Sequence, residues 1–291
     1  MCYNINMENV TVLKDIEFIR ETLRLSVDTF CKETSISRMT YYRWQKNEVE
    51  ISKPYLEKIY SFAYEKGIRI NEVKAQTYID MCNSNEKIVF HGAKKPIDGK
   101  LDLDHSKENN DFGKAFYAGE DLQQSASFIA NSDNARVYIC KYTKKKNIKS
   151  LEYNVDEKWM LTIAYFRKRL EMYKESRIVK SLINKLKNID LVIAPIADNQ
   201  MYTILDEFIN GNITNFQCEK SMSVTNLGKQ YCFRTNKALE ELNVVSECYL
   251  CEQEKKEYLV KKAESNNIGL QKVKYVKREY AGKGKYIEDL L

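Results

Sequence analysis

One histidine and one glycine stand at the end of an apolar run. Residues 88–90, Ile-Val-Phe, predict a buried strand that would deliver His91 and Gly92 to its end. An imidazole at such a place can donate or accept hydrogen bonds, and a glycine leaves the backbone open to close approach because it has no Cβ. A lone histidine after a strand is more often structural, so this pattern gains weight only from what lies in register with it.

Two further segments could complete a site with His91. Asp111-Phe112-Gly113 and Phe116-Tyr117 follow after a long polar loop, and they bring a carboxylate and aromatic rings. An aromatic side chain can stack on a planar ligand. Gln230 begins a short strand-like run, and its amide can hydrogen-bond a hydroxyl although it carries no charge. Whether these residues form one site depends on the elements that position them.

The elements that would position these residues predict an α+β fold. Short strands alternate irregularly with helices, which argues against a doubly wound sheet. The polar segment 83–87 marks a boundary between an all-helical domain, residues 1–83, and a second domain, residues 87–291. We expect a core at about 87–245 and a lysine-rich extension, 246–291, that holds a helix over 252–265 and a strand over 269–275.

The N-terminal domain has the helix order of a helix-turn-helix fold. Ser26 and Ser37 are good N-cap types for two short helices, and Ile36, Tyr41 and Trp44 would share the inner face of the second. The segment SISRMTYYRWQKNE resembles the recognition helix of phage-repressor-like domains. That resemblance implies contacts with DNA bases and phosphates by a set of polar residues. They are Arg38, Thr40, Tyr41, Arg43 and Lys46. The alternative is a helical module for protein contact or dimerisation.

Composition sets wider limits. The net charge of +6 permits contact with nucleic acid without requiring it. No run approaches the ~18 apolar residues of a transmembrane helix, so no membrane partner is expected. The start of the chain lacks the pattern of a signal peptide, and the eight cysteines are scattered, so we expect a cytoplasmic protein with reduced thiols. Cys248 and Cys251 form a lone pair, which falls short of the four ligands of a structural zinc site, and no metal is expected.

Four segments carry a resemblance to a known family. They are FHGAKK, DFGKAFYAG, IDLVIAPIADNQMY and QYCFRTNKALEEL, and they occur in family order. The chain resembles the domain of unknown function 3990 family from about residue 88 to 245. That family looks like a branch of the ADP-ribosyltransferase superfamily, in the histidine-tyrosine-glutamate subclass. The resemblance implies a split β-sheet with helical insertions and a cleft that binds NAD as substrate.

The resemblance also assigns roles to residues. His91 would bond the adenosine ribose, Gly92 would let the nicotinamide amide reach the backbone, and Tyr117 would stack on the nicotinamide ring. The cofactor-binding set is His91, Gly92, Asp111, Phe112, Gly113, Phe116 and Tyr117. Tyr117 and Gln230 are the expected catalytic residues. The transition state would be a positively charged oxocarbenium ion, which a nearby acceptor or carboxylate stabilises.

The chain departs from the subclass at its third position, where Gln230 stands in place of the usual glutamate. This disfavours the formation of poly-ADP-ribose chains and leaves mono-transfer, NAD hydrolysis or loss of activity. Glu219, Asp198 and Asn199 are other polar candidates in these segments. His105 lies in the polar loop, where no chemical role is expected.

The first functional hypothesis is a mono-ADP-ribosyltransferase that modifies a protein or nucleic acid, in the setting of a bacterial toxin or defence effector with an antitoxin partner. The second is a DNA-binding regulator whose inactive transferase-like domain senses a ligand or partner. The third is an inactive transferase fold used for interaction. Convergence of His91, Tyr117 and Gln230 on one pocket is the geometric test that favours the first.

Overall fold

The computed structural model describes residues 7–97, 99–225 and 228–291. A helical N-terminal segment comes first, and a seven-stranded mixed sheet with further helices follows it. The α+β class predicted from the sequence is therefore confirmed. No helix in the described part of the chain is long and apolar enough to cross a bilayer.

The N-terminal segment is built of short helices joined by tight turns. In chain order they are α1 (Met7–Leu23), α2 (Val27–Glu33), α3 (Arg38–Gln45), α4 (Lys53–Glu65) and α5 (Ile70–Asp80). Ser26 Oγ accepts from the Thr29 amide at 3.1 Å, and Ser37 Oγ accepts from the Thr40 amide at 3.0 Å. Both predicted N-caps are thus confirmed, and they fix where α2 and α3 begin.

The predicted inner face of α3 is also confirmed. Ile36, Tyr41 and Trp44 are buried in one apolar cluster with residues of α1, α2 and α4. The Tyr41 hydroxyl donates to Glu17 at 2.5 Å, which ties α3 to α1. The helices therefore hold together through a core of their own.

The second part of the chain contributes the sheet. Its strands are β1 (Glu86–Ala93), β2 (Phe116–Gly119), β3 (Arg136–Thr143), β4 (Ser150–Glu152), β5 (Leu191–Pro195), β6 (Lys229–Phe233) and β7 (Leu242–Tyr249). Their order across the sheet is β4-β5-β6-β2-β1-β3-β7. All neighbours are antiparallel except β4 and β5, which are parallel.

Strand pairing is least extensive near the middle of the sheet, between β1 and β2. β1 pairs with β3 along its whole length, from Glu86 opposite Thr143 to Ala93 opposite Arg136. Between β1 and β2, the pairing is limited to Phe90 opposite Gly119. The two strands diverge on either side of this pair, so a cleft can open between them.

Further helices accompany the strands in this part of the chain. They are α6 (Leu122–Ile129), α7 (Glu157–Phe166), α8 (Arg177–Leu186), α9 (Asn199–Ile209), α10 (Asn215–Ser223), α11 (Asn236–Leu239), α12 (Glu252–Glu279) and α13 (Ile287–Leu290). The strand predicted over 269–275 is wrong, because α12 runs through it without a break. Its buried residues include Tyr258, Gly269, Val273 and Val276, whose spacing suits one helix face better than a strand.

The N-terminal helices pack directly on β7 and α12. Tyr249 and Cys251 belong to the apolar cluster of the helical segment. Asn71 Nδ2 donates to the Tyr249 carbonyl at 2.7 Å and to Glu254 Oε2 at 2.9 Å. The connection at residues 81–85 lies where the domain boundary was predicted, and the two residues from beyond it extend the apolar cluster of the helical segment.

Candidate functional site

Five of the predicted site residues line one cavity. His91, Gly92, Asp111, Tyr117 and Gln230 come from β1, from the loop before β2, from β2 and from β6. The cavity measures about 320 Å³ and lies where β1 and β2 diverge. Ligand pockets in proteins measure roughly 300–1,000 Å³, so this one can hold part of a cofactor-sized molecule.

His91 presents one ring nitrogen to the cavity. Its Nδ1 lies 2.7 Å from the carbonyl oxygen of Tyr117, so Nδ1–H donates and Nε2 carries the lone pair. The ring stacks on Phe116, with centroids 4.2 Å apart. Burial lowers the pKa of His91, which keeps the ring neutral at pH 7. The imidazole is thus held as a hydrogen-bond acceptor.

Gly92 is required for packing as well as for the cavity. A Cβ there would lie 2.6 Å from the carbonyl oxygen of Ser125, in α6. The sequence interpretation ascribed this glycine to the approach of a ligand, whereas the close approach in the structure is that of α6 to β1. The Gly92 backbone still forms part of the cavity wall.

The Tyr117 hydroxyl holds the loop that precedes β2. It donates to the Gly113 carbonyl at 2.7 Å and accepts from the Phe112 amide at 3.1 Å. Burial raises the pKa of Tyr117 far above its ordinary value, so it stays protonated. Because the hydroxyl is committed to the loop, the aromatic ring is the part of Tyr117 that is left for a ligand.

Asp111 is the centre of a buried polar network. Its carboxylate accepts from Arg167 Nε at 2.8 Å, from Gln230 Nε2 at 2.9 Å and from the hydroxyl of Tyr202. Gln230 Nε2 also donates to the Pro195 carbonyl at 3.0 Å. These two bonds fix the orientation of the Gln230 amide, and they leave its Oε1 as the atom able to accept from a ligand.

Three residues of the predicted cofactor-binding set, Phe112, Gly113 and Phe116, do not line the cavity. Phe112 is completely buried and packs on Tyr153, and Phe116 is buried behind the His91 ring. Neither residue lines the cavity, whereas Tyr117 does. Gly113 has a positive φ of 77° and lies against the Phe166 ring, so it shapes the loop and is not part of the cavity wall.

The sequence analysis missed the wall that α6 provides. Gln124, Ser125 and Phe128 line the cavity, and Arg167 lies at its edge beside Asp111. The Phe128 side chain is 49% exposed, so its ring is accessible from the cavity. Residues 124 and 128 are one helical turn apart, so their shared face could have been inferred from spacing, but only with knowledge of which face the sheet leaves open.

The predicted nucleic-acid contacts lie far along the chain from this cavity, on α3. The side chains of Arg38 and Arg43 are exposed and pair with Asp28 and Glu48. Lys46 is exposed and Thr40 is half-buried. Tyr41 is wrong as a contact in this set, because it is fully buried in the helical core.

The remaining polar candidates do not line this cavity. Glu219 pairs with Lys220 on α10, and the exposed His105 pairs with Asp102. Asp198 caps α9, and it lines another cavity, which is described below. Asn199, at the start of α9, lines neither cavity.

The two neighbouring cysteines are buried. Burial raises the pKa of Cys248 to about 12 and that of Cys251 to about 11, so both thiols stay protonated. Among the described residues, no group of His, Cys, Asp or Glu is arranged to hold a metal ion.

One family model matches the chain. It carries the description "Protein of unknown function (DUF3990)" and covers residues 87–244, from β1 into β7. The chain belongs to this family. No curated protein and no solved structure matches it significantly. The matched segment contains every predicted residue of the cavity, whereas the N-terminal helices and α12 lie outside it.

Proposed function

We propose that this DUF3990 protein is an NAD-dependent mono-ADP-ribosyltransferase that modifies a macromolecule. The observation that carries the proposal is the convergence of His91, Gly92, Tyr117 and Gln230, from separate segments, on one cavity. The sheet order supports it too, since β1 and β2 diverge beside β6 and form the cleft that a split-sheet transferase needs.

The polar atoms suit the ribose hydroxyls of NAD. His91 Nε2 and Gln230 Oε1 are both acceptors without a partner among the described residues, and ribose hydroxyls are donors. A neutral imidazole and a neutral amide also avoid electrostatic repulsion of the positively charged pyridinium. These two residues would hold the sugars at opposite walls of the cleft.

The aromatic side chains suit the nicotinamide ring. Tyr117 and Phe128 line the same cavity from β2 and α6, so a planar ring can lie between them. The Gly92 backbone and the Ser125 hydroxyl, which bonds to the Phe90 carbonyl at 3.1 Å, offer polar partners for the ring's amide. The ring would thereby be fixed while the bond to ribose is stretched.

The carboxylate near the reacting sugar is Asp111, one hydrogen bond behind Gln230. Its charge is balanced by Arg167, so it stabilises an oxocarbenium ion less than a free glutamate would. This accounts for a single transfer better than for chain formation. A toxin or defence role, with an antitoxin that covers the cleft, is consistent with such an enzyme.

A DNA-binding regulator is the second candidate. The exposed arginines of α3 favour it, because their partners Asp28 and Glu48 are surface carboxylates that phosphates can replace. It predicts salt-dependent DNA binding that falls when Arg38 and Arg43 are changed to alanine.

The experiment combines NAD binding and transfer. Calorimetry measures NAD affinity, and labelled NAD with cell extract measures transfer, for the wild type, His91→Ala and Tyr117→Ala. His105→Ala is the matched control, since that side chain is 92% exposed in a loop. We expect His91→Ala and Tyr117→Ala to lose both NAD binding and transfer of label. The control His105→Ala should keep both at the level of the wild type. Absence of both NAD binding and label in the wild type would refute the proposal.

A further inference from the structure

A second cavity adjoins the first. It measures about 200 Å³, lies between α6 and α12, and shares Gln124 and Phe128 with the first cavity. Its other walls include Asp198, Lys261 and Lys262. Whole-ligand pockets start at roughly 300 Å³, so this space suits one ring-sized group that reaches the first cavity past a common wall.

The shared wall contains an amide without partners. Both Nε2 and Oε1 of Gln124 are buried, and no described residue forms a hydrogen bond with either atom. Buried amides are nearly always bonded, because an unmade bond is costly. A donor and an acceptor side by side match the edge of a nucleobase, which presents the complementary pair. A base edge that enters the cavity satisfies both atoms once the amide turns toward it.

The cavity also offers an aromatic face and two cations. Lys262 Nζ lies 4.9 Å from the Phe128 ring centroid and 3.3 Å from the Ser127 carbonyl oxygen. Lys261 pairs with Glu257, which also forms an ion pair with Arg69 of the helical segment. A ring that stacks on Phe128 would thus have its backbone phosphate beside Lys261 and Lys262, next to a basic residue of the N-terminal helices.

We propose that this second cavity is the acceptor site of the transferase, and that it takes an unpaired base of a single-stranded nucleic acid. The inference rests on the proposed function. Bases in a duplex are stacked and paired, so only a single strand can place an edge against Gln124 and a face on Phe128.

Asp198 can accept the proton that the transfer releases. One of its oxygens accepts from the Met201 amide at 2.9 Å, and no described residue bonds the other. In the reaction, an N–H nitrogen of the base bonds to the anomeric carbon of the nicotinamide ribose. The carbon–nitrogen bond to nicotinamide breaks, its electron pair stays on the departing nicotinamide, and the base proton passes to Asp198 and then to water.

The binding test compares a labelled single-stranded DNA oligonucleotide of mixed sequence with its duplex. Fluorescence anisotropy measures the binding of each in the absence of NAD. We expect the single strand to bind tighter, and Lys261→Gln/Lys262→Gln to lower the dependence of log K on log salt by about one unit per lysine. Lys272→Gln/Lys274→Gln is the control, with exposed lysines about 15 Å further along the same helix. Gln124→Met should weaken binding yet raise Tm, because it removes the unbonded amide. No preference for single strands, or equal effects of both lysine pairs, overturns the proposal.

The transfer test uses labelled NAD with the same oligonucleotide and with cell protein. Label on the oligonucleotide is expected, and it should fall at least about tenfold in Asp198→Asn, as for a lost general base. Asparagine still caps α9, and Asp156→Asn at the cap of α7 controls for capping. NAD binding with label on protein alone overturns this inference and leaves the transferase standing. Absence of NAD binding, with single-strand binding that depends on Lys262, refutes the transferase and upholds the nucleic-acid site.

Discussion

The side-chain amide of Gln230 donates a hydrogen bond of 2.9 Å to the carboxylate of Asp111. This bond joins β6 to the loop before β2, across the floor of the cavity. Asp111 also accepts hydrogen bonds from Arg167 and Tyr202. The negative charge of Asp111, the orientation of the Gln230 amide and the conformation of the loop before β2 therefore depend on one another. The cavity floor is therefore a single polar unit with a balanced charge.

Replacement of Asp111 by asparagine should break this unit. Arg167 would lose its counter-charge in a partly buried place. We expect the free energy of unfolding to fall by about 3 kcal/mol, the lower end for a broken buried pair, because Arg167 keeps some exposure. Urea denaturation measures the change. Asp104→Asn in the same loop, where the side chain is 86% exposed, should cost less than about 0.5 kcal/mol. Equal costs in the two variants would show that the network does not stabilise the fold.

Gln230→Glu restores the carboxylate of the subclass, yet we expect it to lower both stability and transfer. The new carboxylate would face Asp111 and would lose both donated bonds. One of the two carboxyls must then keep a proton, so its folded pKa is raised above the unfolded value of about 4.3. The variant should lose stability relative to the wild type as pH rises above that value. Urea titrations at several pH values measure this, and a gap that is independent of pH would contradict it.

His91 should make stability depend on pH. Burial lowers its folded pKa below the ordinary value of 6.5. When pH falls through about 6.5, the unfolded chain gains a proton that the folded chain does not, so stability is lost on acidification. His91→Asn should flatten this part of the Tm profile, and His105→Asn should not. An unchanged slope in His91→Asn would show that the ring is not held neutral.

The contact between the helical segment and α12 contains a second titrating group. Burial raises the pKa of Glu254 to about 7, although Tyr258 and Asn71 donate to it. Between the ordinary value of 4.5 and 7, the unfolded chain releases a proton that the folded chain keeps, so stability falls as pH rises. Glu254→Gln should remove this pH-dependent loss of unfolding free energy. The loss amounts to about 3 kcal/mol, since each pKa unit corresponds to ~1.4 kcal/mol. Chemical denaturation at both ends of the range tests it, with the exposed Glu264→Gln as control.

The sequence predicted the convergence of His91, Tyr117 and Gln230 because each follows or begins a recognisable strand within a family motif. It also included Phe116, which packs on the His91 ring and does not line the cavity, a packing role that the motif alone does not reveal. It failed for Tyr41, which was assigned both to the helical core and to a DNA contact.

The wall formed by Gln124 and Phe128 could not be predicted for a different reason. The face of α6 that stays open depends on how α12 packs, and α12 is distant in sequence. The lysine-rich segment 269–275 looked strand-like because its apolar residues alternate locally. The burial of Gly269, Val273 and Val276, spaced as on one helix face, accompanies the helix that the structure shows.

Because a single residue pair joins β1 and β2, this junction should be the part of the sheet that separates most easily. A ligand bound by both His91 on β1 and Gln230 on β6 would connect the two halves of the sheet across this junction. Its mechanical effect would reach beyond the site, because each half of the sheet carries its own helices. Occupancy should therefore slow amide hydrogen exchange at Phe90 and Gly119, the two residues paired across this junction.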